Sequence, residues 1–437
     1  MPIRRRDFIA TGTAAGVAQL LGTSRTWAGA NDRIRLAIIG LGGRGRDHMR
    51  QALQIPGIEV AAFCDPDENC MTQKAAEFES LAGKRPELHQ DLRRVLEDRN
   101  VDAVTIASCN HWHALAAIWA CQAGKHVYVE KPVCHDMFSG AQMVAASRKY
   151  NRIVQGGTQR RSNGYIRRGI QALREGMIGD VYMARCVHYQ ERPSLGFKSP
   201  GNPPAGLDWN LWVGPGPMQP FHGNLHPYNW HWFWDFGNGE LGNNGVHFMD
   251  VARWGLNKKL PSSVHSVGGR FGYKDQAQTP NTQLVTYSFE DETEMVIEIR
   301  GRYTNGEDGL TSGVAFHGSK GYMILDSRGR SKVFLGGRST PEADLGRLDD
   351  IEWNGHEESS HLKNFFDAVR EGKRDMLTAE IHETYLSTVF CLLGNISHRL
   401  KRELRFDPGT QRCVGDREAD TMLRDRYRPP FSVPENV

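Results

Sequence analysis

Arg35-Leu-Ala-Ile-Ile39 runs without a break into Gly40-Leu41-Gly42-Gly43-Arg44-Gly45, and a helix-like segment continues to about Gln54. A short apolar run, then G-x-G-x-x-G, then a helix is the order in which a glycine pattern carries meaning. Gly40 permits the tight turn, Gly42 lets a pyrophosphate approach the backbone, and Gly45 lets helix pack closely on strand. Gly43 and Arg44 complete the loop, where phosphates meet the free N–H groups of the helix N-terminus. A second strand, 58–64, ends in Asp65, twenty residues after Gly45. An acid there takes the ribose 2′-OH of a dinucleotide and repels a 2′-phosphate, which favours NAD over NADP; Arg44 or Arg46 are the residues that could reverse that preference. The plainer reading of Asp65 is a turn former before Pro66.

The period continues with helix-like segments at 68–82 and 91–98, a strand at 101–107, a helix at 113–123 and a strand at 126–129. Helices alternating with β-rich apolar runs imply a parallel, doubly wound sheet that receives ligands at the carboxyl ends of its strands. Two of those ends are polar: Ser108-Cys109-Asn110-His111-Trp112-His113 and Glu130-Lys131-Pro132. Ser108, Asn110, His113, Glu130 and Lys131 are therefore candidates to face the dinucleotide. Lys131 is also a candidate to polarise a hydroxyl, because a cation stabilises developing alkoxide charge. The alternative is a solvated lysine at a strand end.

From residue 152 the pattern changes. A helix is expected at 164–174 and a strand at 179–187, then alternating runs at 283–289, 294–300, 313–317 and 322–326 with turn residues between them. Such runs argue for an antiparallel sheet, which helices at 360–370 and 378–400 complete. The expected fold is an α/β Rossmann domain plus an α+β domain with a largely antiparallel open sheet. The expected division is an export signal at 1–30, an NAD-binding domain at 31–155 and a substrate and oligomerisation domain at 156–437. Six of the ten tryptophans fall between Trp209 and Trp254, interleaved with His, Asn and Asp. Aromatic faces beside short polar side chains suit a sugar. Trp232 and Arg160 are candidates to meet it, although each tryptophan taken singly is better explained as core or interface.

In this order, the glycine turn, a fourth-strand loop ending in a histidine, and Glu130-Lys131-Pro132 after the fifth strand resemble the glucose-fructose oxidoreductase / inositol dehydrogenase / MocA (Gfo/Idh/MocA) family. The resemblance covers essentially all of residues 33–435. It implies that Lys131 lies beside the nicotinamide and the reacting carbon, while Glu130 and Pro132 shape the turn. Gly239-Glu-Leu-Gly-Asn243-Asn244-Gly245-Val246-His247 resembles the family's G-x-L-x-D-x-G-x-H stretch, whose aspartate and histidine line the site and whose histidine takes the hydroxyl proton. His247 matches. Asn243 stands at the aspartate position, where it can hydrogen-bond a sugar hydroxyl but cannot relay a proton. Four residues apart, the two are expected on one helix face. The family's open sheet commonly packs on another subunit, which implies a homodimer or homotetramer.

Arg5-Arg6-Asp7-Phe8-Ile9, a mildly apolar stretch to Leu21 and the exit Ala28-Gly29-Ala30 read as a bacterial Tat signal cut after Ala30. The alternative is a basic N-terminal helix of the fold. A periplasmic location follows, by a route that moves folded proteins and commonly serves those that acquire a cofactor beforehand. Residues 1–30 hold Arg4, Arg5, Arg6, Arg25 and Asp7, so their removal brings the formal charge from +3 to 0. A neutral chain offers no electrostatic case for nucleic acid, and no apolar run approaches the ~18 residues of a membrane span. Cys64, Cys109 and Cys186 lie in strand-like runs as small hydrophobes, and no C-x-x-C occurs. His222, His226 and His231 lie in a Gly/Pro/Asn-rich loop without helical register or nearby carboxylates, so surface or substrate-facing histidines are expected rather than metal ligands.

Three functions compete. The first is NAD-dependent oxidation of a sugar derivative, with the cofactor tightly held and internally recycled because the periplasm offers no obvious NAD pool. The second is a redox-neutral glycosidase acting through transient oxidation, which does not need the two carboxylates of ordinary glycosidases. The third is a non-catalytic sugar-binding protein, which loss of Lys131 or His247 would favour; both are present.

Overall fold

Strand β1 (Ile34–Ile39) is apolar except at Arg35, as a strand buried on both faces requires, and pairs in parallel with β2 (Ile58–Cys64) and β4 (Ala103–Ile106). With β3 (Glu87–His89), β5 (His126–Val129) and β6 (Val154–Gly156) it forms a six-stranded parallel sheet in the order β3-β2-β1-β4-β5-β6. That order reverses direction between β1 and β4, which opens a ligand crevice at the carboxyl ends. The computed structural model describes residues 33–302, 305–307, 310–327, 331–336, 343–344 and 357–437. The expected Tat signal lies outside the described residues.

Helices α1 (Gly43–Ala52), α2 (Glu68–Ala82), α3 (Leu92–Glu97), α4 (Asn110–Gln122) and α5 (Met137–Lys149) connect these strands. Asp67 caps α2 by accepting from the N–H groups of Asn69 and Cys70, and Gly83 ends it at φ 69°. Asn110-His111-Trp112-His113 is the first turn of α4 rather than a loop. The sequence reading omits α5, whose buried Gly140, Ala146 and Ser147 give no strong apolar stripe.

The second half carries β7 (Val181–Tyr189), β8 (Ser263–Gly269), β9 (Thr282–Ser288), β10 (Glu294–Arg300), β11 (Ser312–Gly318), β12 (Gly321–Asp326), β13 (Ser331–Leu335), β14 (Ala343–Asp344), β15 (Leu404–Asp407) and β16 (Arg412–Cys413). Among the described residues their order is β14-β13-β12-β11-β7-β10-β9-β8-β15-β16. The sheet is mostly antiparallel but mixed, because β7 and β10 run parallel. Helices α6 (Gly164–Arg174), α7 (Trp209–Val213), α8 (Val246–Leu256), α9 (Glu357–Glu371) and α10 (Ile381–Leu400) belong to this half. Helix α10 lies between the sheets, packed on β8 and α8 on one side and on α5 and β6 on the other.

A change of sheet near residue 156 is not a parting of the chain. Helix α9 packs on α1, and its Phe365 and Phe366 share a core with Leu36 and Ile38 of β1. The Gly156 N–H donates to the Ala379 carbonyl at 3.0 Å. Ile34–Val437 form one compact unit.

Candidate active site

The glycine turn is built as its sequence demands. Gly40 has φ +82°, and a Cβ there would lie 2.6 Å from the Ala107 backbone at the end of β4. A Cβ on Gly45 would lie 1.8 Å from the Gly40 carbonyl oxygen, whereas one on Gly42 or Gly43 would meet nothing within 4 Å. Gly45 therefore serves packing, and Gly42 and Gly43 leave open space in front of α1. The first helical N–H to find an acceptor is that of Arg46, on the Gly42 carbonyl at 3.0 Å, so the N–H groups of the preceding turn remain for a phosphate. Two substitutions separate these roles. Gly45→Ala should destabilise the fold by about 1–3 kcal/mol through overpacking. Gly42→Ala should leave the urea midpoint unchanged and weaken NAD by roughly 10-fold or more, the size of one hydrogen bond to a charged group.

A cavity of about 580 Å³ runs along this crevice, and Gly40, Gly42, Gly43, Arg44, Asp65, Ser108, Asn110, His113, Glu130, Lys131 and Asn243 all line it. At one end Asp65 accepts from the N–H of Leu41 at 2.7 Å and of Asp67 at 3.0 Å, which fixes its carboxylate beside the glycine turn. Burial raises its pKa to about 6 in spite of those bonds. A ribose hydroxyl donates to the ionised form, so NAD affinity should rise as pH climbs through about 6 and fall below it. Titration calorimetry at pH 5 and 7.5 checks the sign, and Asp65→Ala should abolish the dependence and narrow the preference for NAD over NADP. Asn110 lines the same space from the first turn of α4, and its buried Oδ1 has no partner among the described residues. Open glycines, free helix N–H groups, a fixed acid and an orphaned acceptor fit NAD.

At the other end Glu130 is buried and accepts from Arg44 at 2.9 Å, His48 at 3.0 Å, Gln159 at 3.0 Å and the Lys131 N–H at 3.2 Å. Burial opposes its ionisation, but Arg44, His48 and Lys131 together hold the carboxyl well below the usual range. Glu130 is thus a clamp between α1 and the strand end rather than a free acid. His113 braces the same loop, with Nδ1 2.7 Å from the Pro132 carbonyl and Nε2 2.9 Å from that of Ser108. Lys131 Nζ donates to the Asn243 carbonyl at 2.6 Å and approaches its Oδ1 at 3.4 Å. Burial pushes the ammonium pKa down against the pull of Glu130. With two protons directed at Asn243, the third remains for a substrate oxygen.

The expected face shared by Asn243 and His247 is altered. Leu241–Gly245 is a π turn that runs into α8, and this wider turn presents the Asn243 carbonyl to Lys131. Asn243 lines the cavity and His247 does not. His247 is half-buried, and its Nδ1 is buried without a partner. Burial, then the Lys131 and Arg160 cations, push its imidazolium pKa well below the usual value, so the ring is neutral. Arg160 stacks on the Phe248 ring at 4.7 Å. Trp232 is buried, packs under Arg192 at 5.3 Å and lines a separate small cavity with Glu240. Neither Arg160 nor Trp232 lines the main cavity.

Sequence reasoning gave no site role to Trp112, Leu211, Trp212, Pro227, Tyr228 and Trp230, which help close the cavity together with His226 and His231, two of the histidines expected at the surface or facing substrate. The tryptophan-rich stretch was the signal, but composition does not say which side chains turn inward.

A parallel sheet with a glycine turn, a fixed acid and a half-buried lysine at a strand end defines a dinucleotide-binding fold, here followed by a second, mixed sheet. The sequence profile described as oxidoreductase family, NAD-binding Rossmann fold, matches residues 34–158, and that of the family's C-terminal alpha/beta domain matches 197–433. The chain belongs to the Gfo/Idh/MocA family. It is 34% identical over 172 residues to inositol 2-dehydrogenase 1 of Saccharopolyspora erythraea, covering 39% of this chain and 50% of that one. It is 28% identical over 223 residues to a glycosyl hydrolase family 109 protein of Stenotrophomonas maltophilia, covering 49% and 48%. The chain spans about half the length of the curated relatives it matches. Among solved structures, levoglucosan dehydrogenase in complex with NADH and levoglucosan shares the fold at TM-score 0.64 and 18% identity, covering 88% of this chain and 100% of that one. The WlbA dehydrogenase of Bordetella pertussis in complex with NADH and UDP-GlcNAcA does so at TM-score 0.64 and 17% identity, covering 86% and 99%.

Proposed function

We propose that this protein is an NAD-dependent oxidoreductase of a sugar or sugar derivative, exported to the periplasm with its cofactor retained and recycled within each catalytic cycle. The supporting observation for retention is the fastening of residues 205–208 to the loop that follows Asp65. The Gly206 carbonyl accepts from the Glu68 N–H and Gln90 Nε2, both at 3.0 Å, the Ala205 carbonyl accepts from Asn69 Nδ2 at 2.6 Å, and the Asp208 N–H donates to Pro66 at 2.9 Å. A segment of the second half thus fastens to the loop that follows Asp65, whose Pro66 and Asp67 line the cavity, and so steadies the nucleotide end.

Gly42, Gly43, Asp65, Ser108 and Asn110 would hold the dinucleotide, and when bound it supplies a hydride acceptor. Lys131 donates to the substrate oxygen and stabilises alkoxide charge as it develops. His247, neutral and with one nitrogen unpartnered, takes the hydroxyl proton; its place one turn beyond Asn243 requires that the substrate reach past the Lys131–Asn243 pair. Asn243 holds a neighbouring hydroxyl. Lys131 in the cavity wall speaks against a purely non-catalytic sugar-binding role. Tyr182 of β7, Val267 of β8 and Leu284 of β9 are exposed on the second sheet, with Val267 and Leu284 cross-strand partners; such a patch supports a homodimer or homotetramer through that face.

A redox-neutral glycosidase is the second reading. It is favoured by Asn243 in place of an aspartate, and by the engagement of Glu130 with four donors, which leaves the chemical end of the cavity, among the described residues, without the carboxylate pair of ordinary glycosidases. Denaturing the purified mature protein and weighing the released nucleotide tests the proposal. Stoichiometric NAD(H) supports it, and a cofactor-free protein that binds NADP more tightly than NAD sinks it.

A further inference from the structure

The short helical turn Asn229–Trp232 carries His231 into the wall that also holds Lys131 and Asn243. Its ring stacks on Trp230 with centroids 3.6 Å apart and planes 19° from parallel. Nδ1 lies 2.7 Å from the Tyr228 carbonyl oxygen. A carbonyl only accepts, so Nδ1 carries the proton, and in the neutral ring Nε2 is left with a bare lone pair. Nε2 has no hydrogen-bond partner among the described residues, and His231 lines the cavity. Gly237 locks the backbone beneath, since a Cβ there would lie 2.6 Å from the His231 Cα. Burial pushes the imidazolium pKa to about 3, and of the charged groups that act on the ring, Lys131 and Arg192 lower it while Glu240 opposes them. Burial thus favours the neutral ring, against the pull of the Nδ1–H bond to Tyr228 and of Glu240.

A cavity wall that offers a cation at Lys131, an amide at Asn243 and a rigid, oriented acceptor on an aromatic stack is a donor and acceptor set matched to adjacent ring hydroxyls. We infer that His231 is a substrate-binding residue whose Nε2 accepts a hydrogen bond from a hydroxyl of a cyclic polyol, so that this position sets which stereoisomer is held. The inference rests on the polyol reading of the site and adds to it a contact made outside the Lys131, Asn243 and His247 set.

The test uses the NAD-loaded protein and three probes, myo-inositol, levoglucosan and glucose, with dissociation constants measured for wild type, His231→Phe and His231→Gln. Phe keeps the stack on Trp230 and removes the acceptor; Gln returns an acceptor. The expected result is that at least one probe binds wild type, that Phe weakens it roughly 10-fold, the size of one neutral hydrogen bond, and that Gln recovers part of the loss. Retained nicotinamide and thermal midpoint should stay as in wild type for both variants. A probe that binds wild type and His231→Phe alike overturns the role of His231 and leaves the polyol reading standing. Failure of all three to bind wild type overturns both.

Discussion

Lys131→Met lowers turnover of the true substrate by at least ~100-fold, the lower range for removal of an acid/base or oxyanion-stabilising group, while the protein keeps its nicotinamide and its fold. Methionine fills the volume of the lysine stem and removes only the ammonium. What is lost is the donor held 2.6 Å from the Asn243 carbonyl at the chemical end of the cavity. What stays is the Glu130 clamp, because Lys131 meets Glu130 through its backbone N–H, and Arg44, His48 and Gln159 supply the other donors. Removal of a buried cation should leave stability equal or slightly higher. Single-turnover rates, bound nicotinamide by mass and a thermal scan read the three quantities separately. Turnover within a few-fold of wild type would remove Lys131 from the chemistry, and a collapse of all three together would make it structural.

Asp250→Ala costs about 3–5 kcal/mol of unfolding free energy, as expected when one partner of a buried charge pair is deleted. Asp250 is fully buried on α8, three residues after His247, and accepts from Arg161 Nε at 2.9 and 2.8 Å and from Ser387 Oγ at 2.6 Å. It therefore ties the helix of His247 to the Gln159–Ser162 turn and to α10. Arg253 lies buried nearby, where burial and then Arg161 press its pKa down. Without Asp250 two buried guanidinium groups face each other with Glu383 as the remaining counter-charge. Urea unfolding of the single variant reads the loss. The double variant Asp250→Leu, Arg161→Met should recover most of it, because an apolar pair of similar volume replaces the ion pair without orphaning a charge. A loss below about 1 kcal/mol in the single variant would show that the pair is solvated and that α8 is held by apolar packing alone.

The first half of the fold was legible because parallel strands buried on both faces write themselves as unbroken apolar runs, and because glycines at fixed offsets have steric reasons that leave few alternatives. Gly40 and Gly45 make the close backbone approaches those reasons imply, and Asp65 and Lys131 line the cavity at the strand ends. What was hidden depends on contacts between distant segments. Helix α9 covers β1 from more than 300 residues away in sequence, and no local pattern announces it. The parallel pairing of β7 with β10 has the same alternation as its antiparallel neighbours. In the site, Trp232 and His231 are adjacent in sequence but face different cavities, since successive residues of a tight helical turn diverge around its axis. The π turn at Leu241–Gly245 likewise moved Asn243 and His247 off the common wall that an ordinary helix implies. Composition marked the right stretch and could not choose among its members.

The central claim is that one retained NAD serves many cycles, and the measurement that tests it most directly is product formed per protein chain with no dinucleotide added. A panel of sugars and glycosides is incubated with the mature protein as purified, products are counted by mass spectrometry, and nicotinamide absorbance is followed in the same cuvette. The account predicts many turnovers with no net accumulation of NADH. The hydride must return to a substrate within each cycle, either to a second carbonyl compound, giving oxidised and reduced products in equal amounts, or to the oxidised sugar itself after elimination and addition of water, giving product labelled from D₂O beside the transiently oxidised carbon. A single turnover that then stops, and that resumes with NADH release proportional to NAD only once NAD is supplied, would contradict the account and leave a simple dehydrogenase that draws its cofactor from solution.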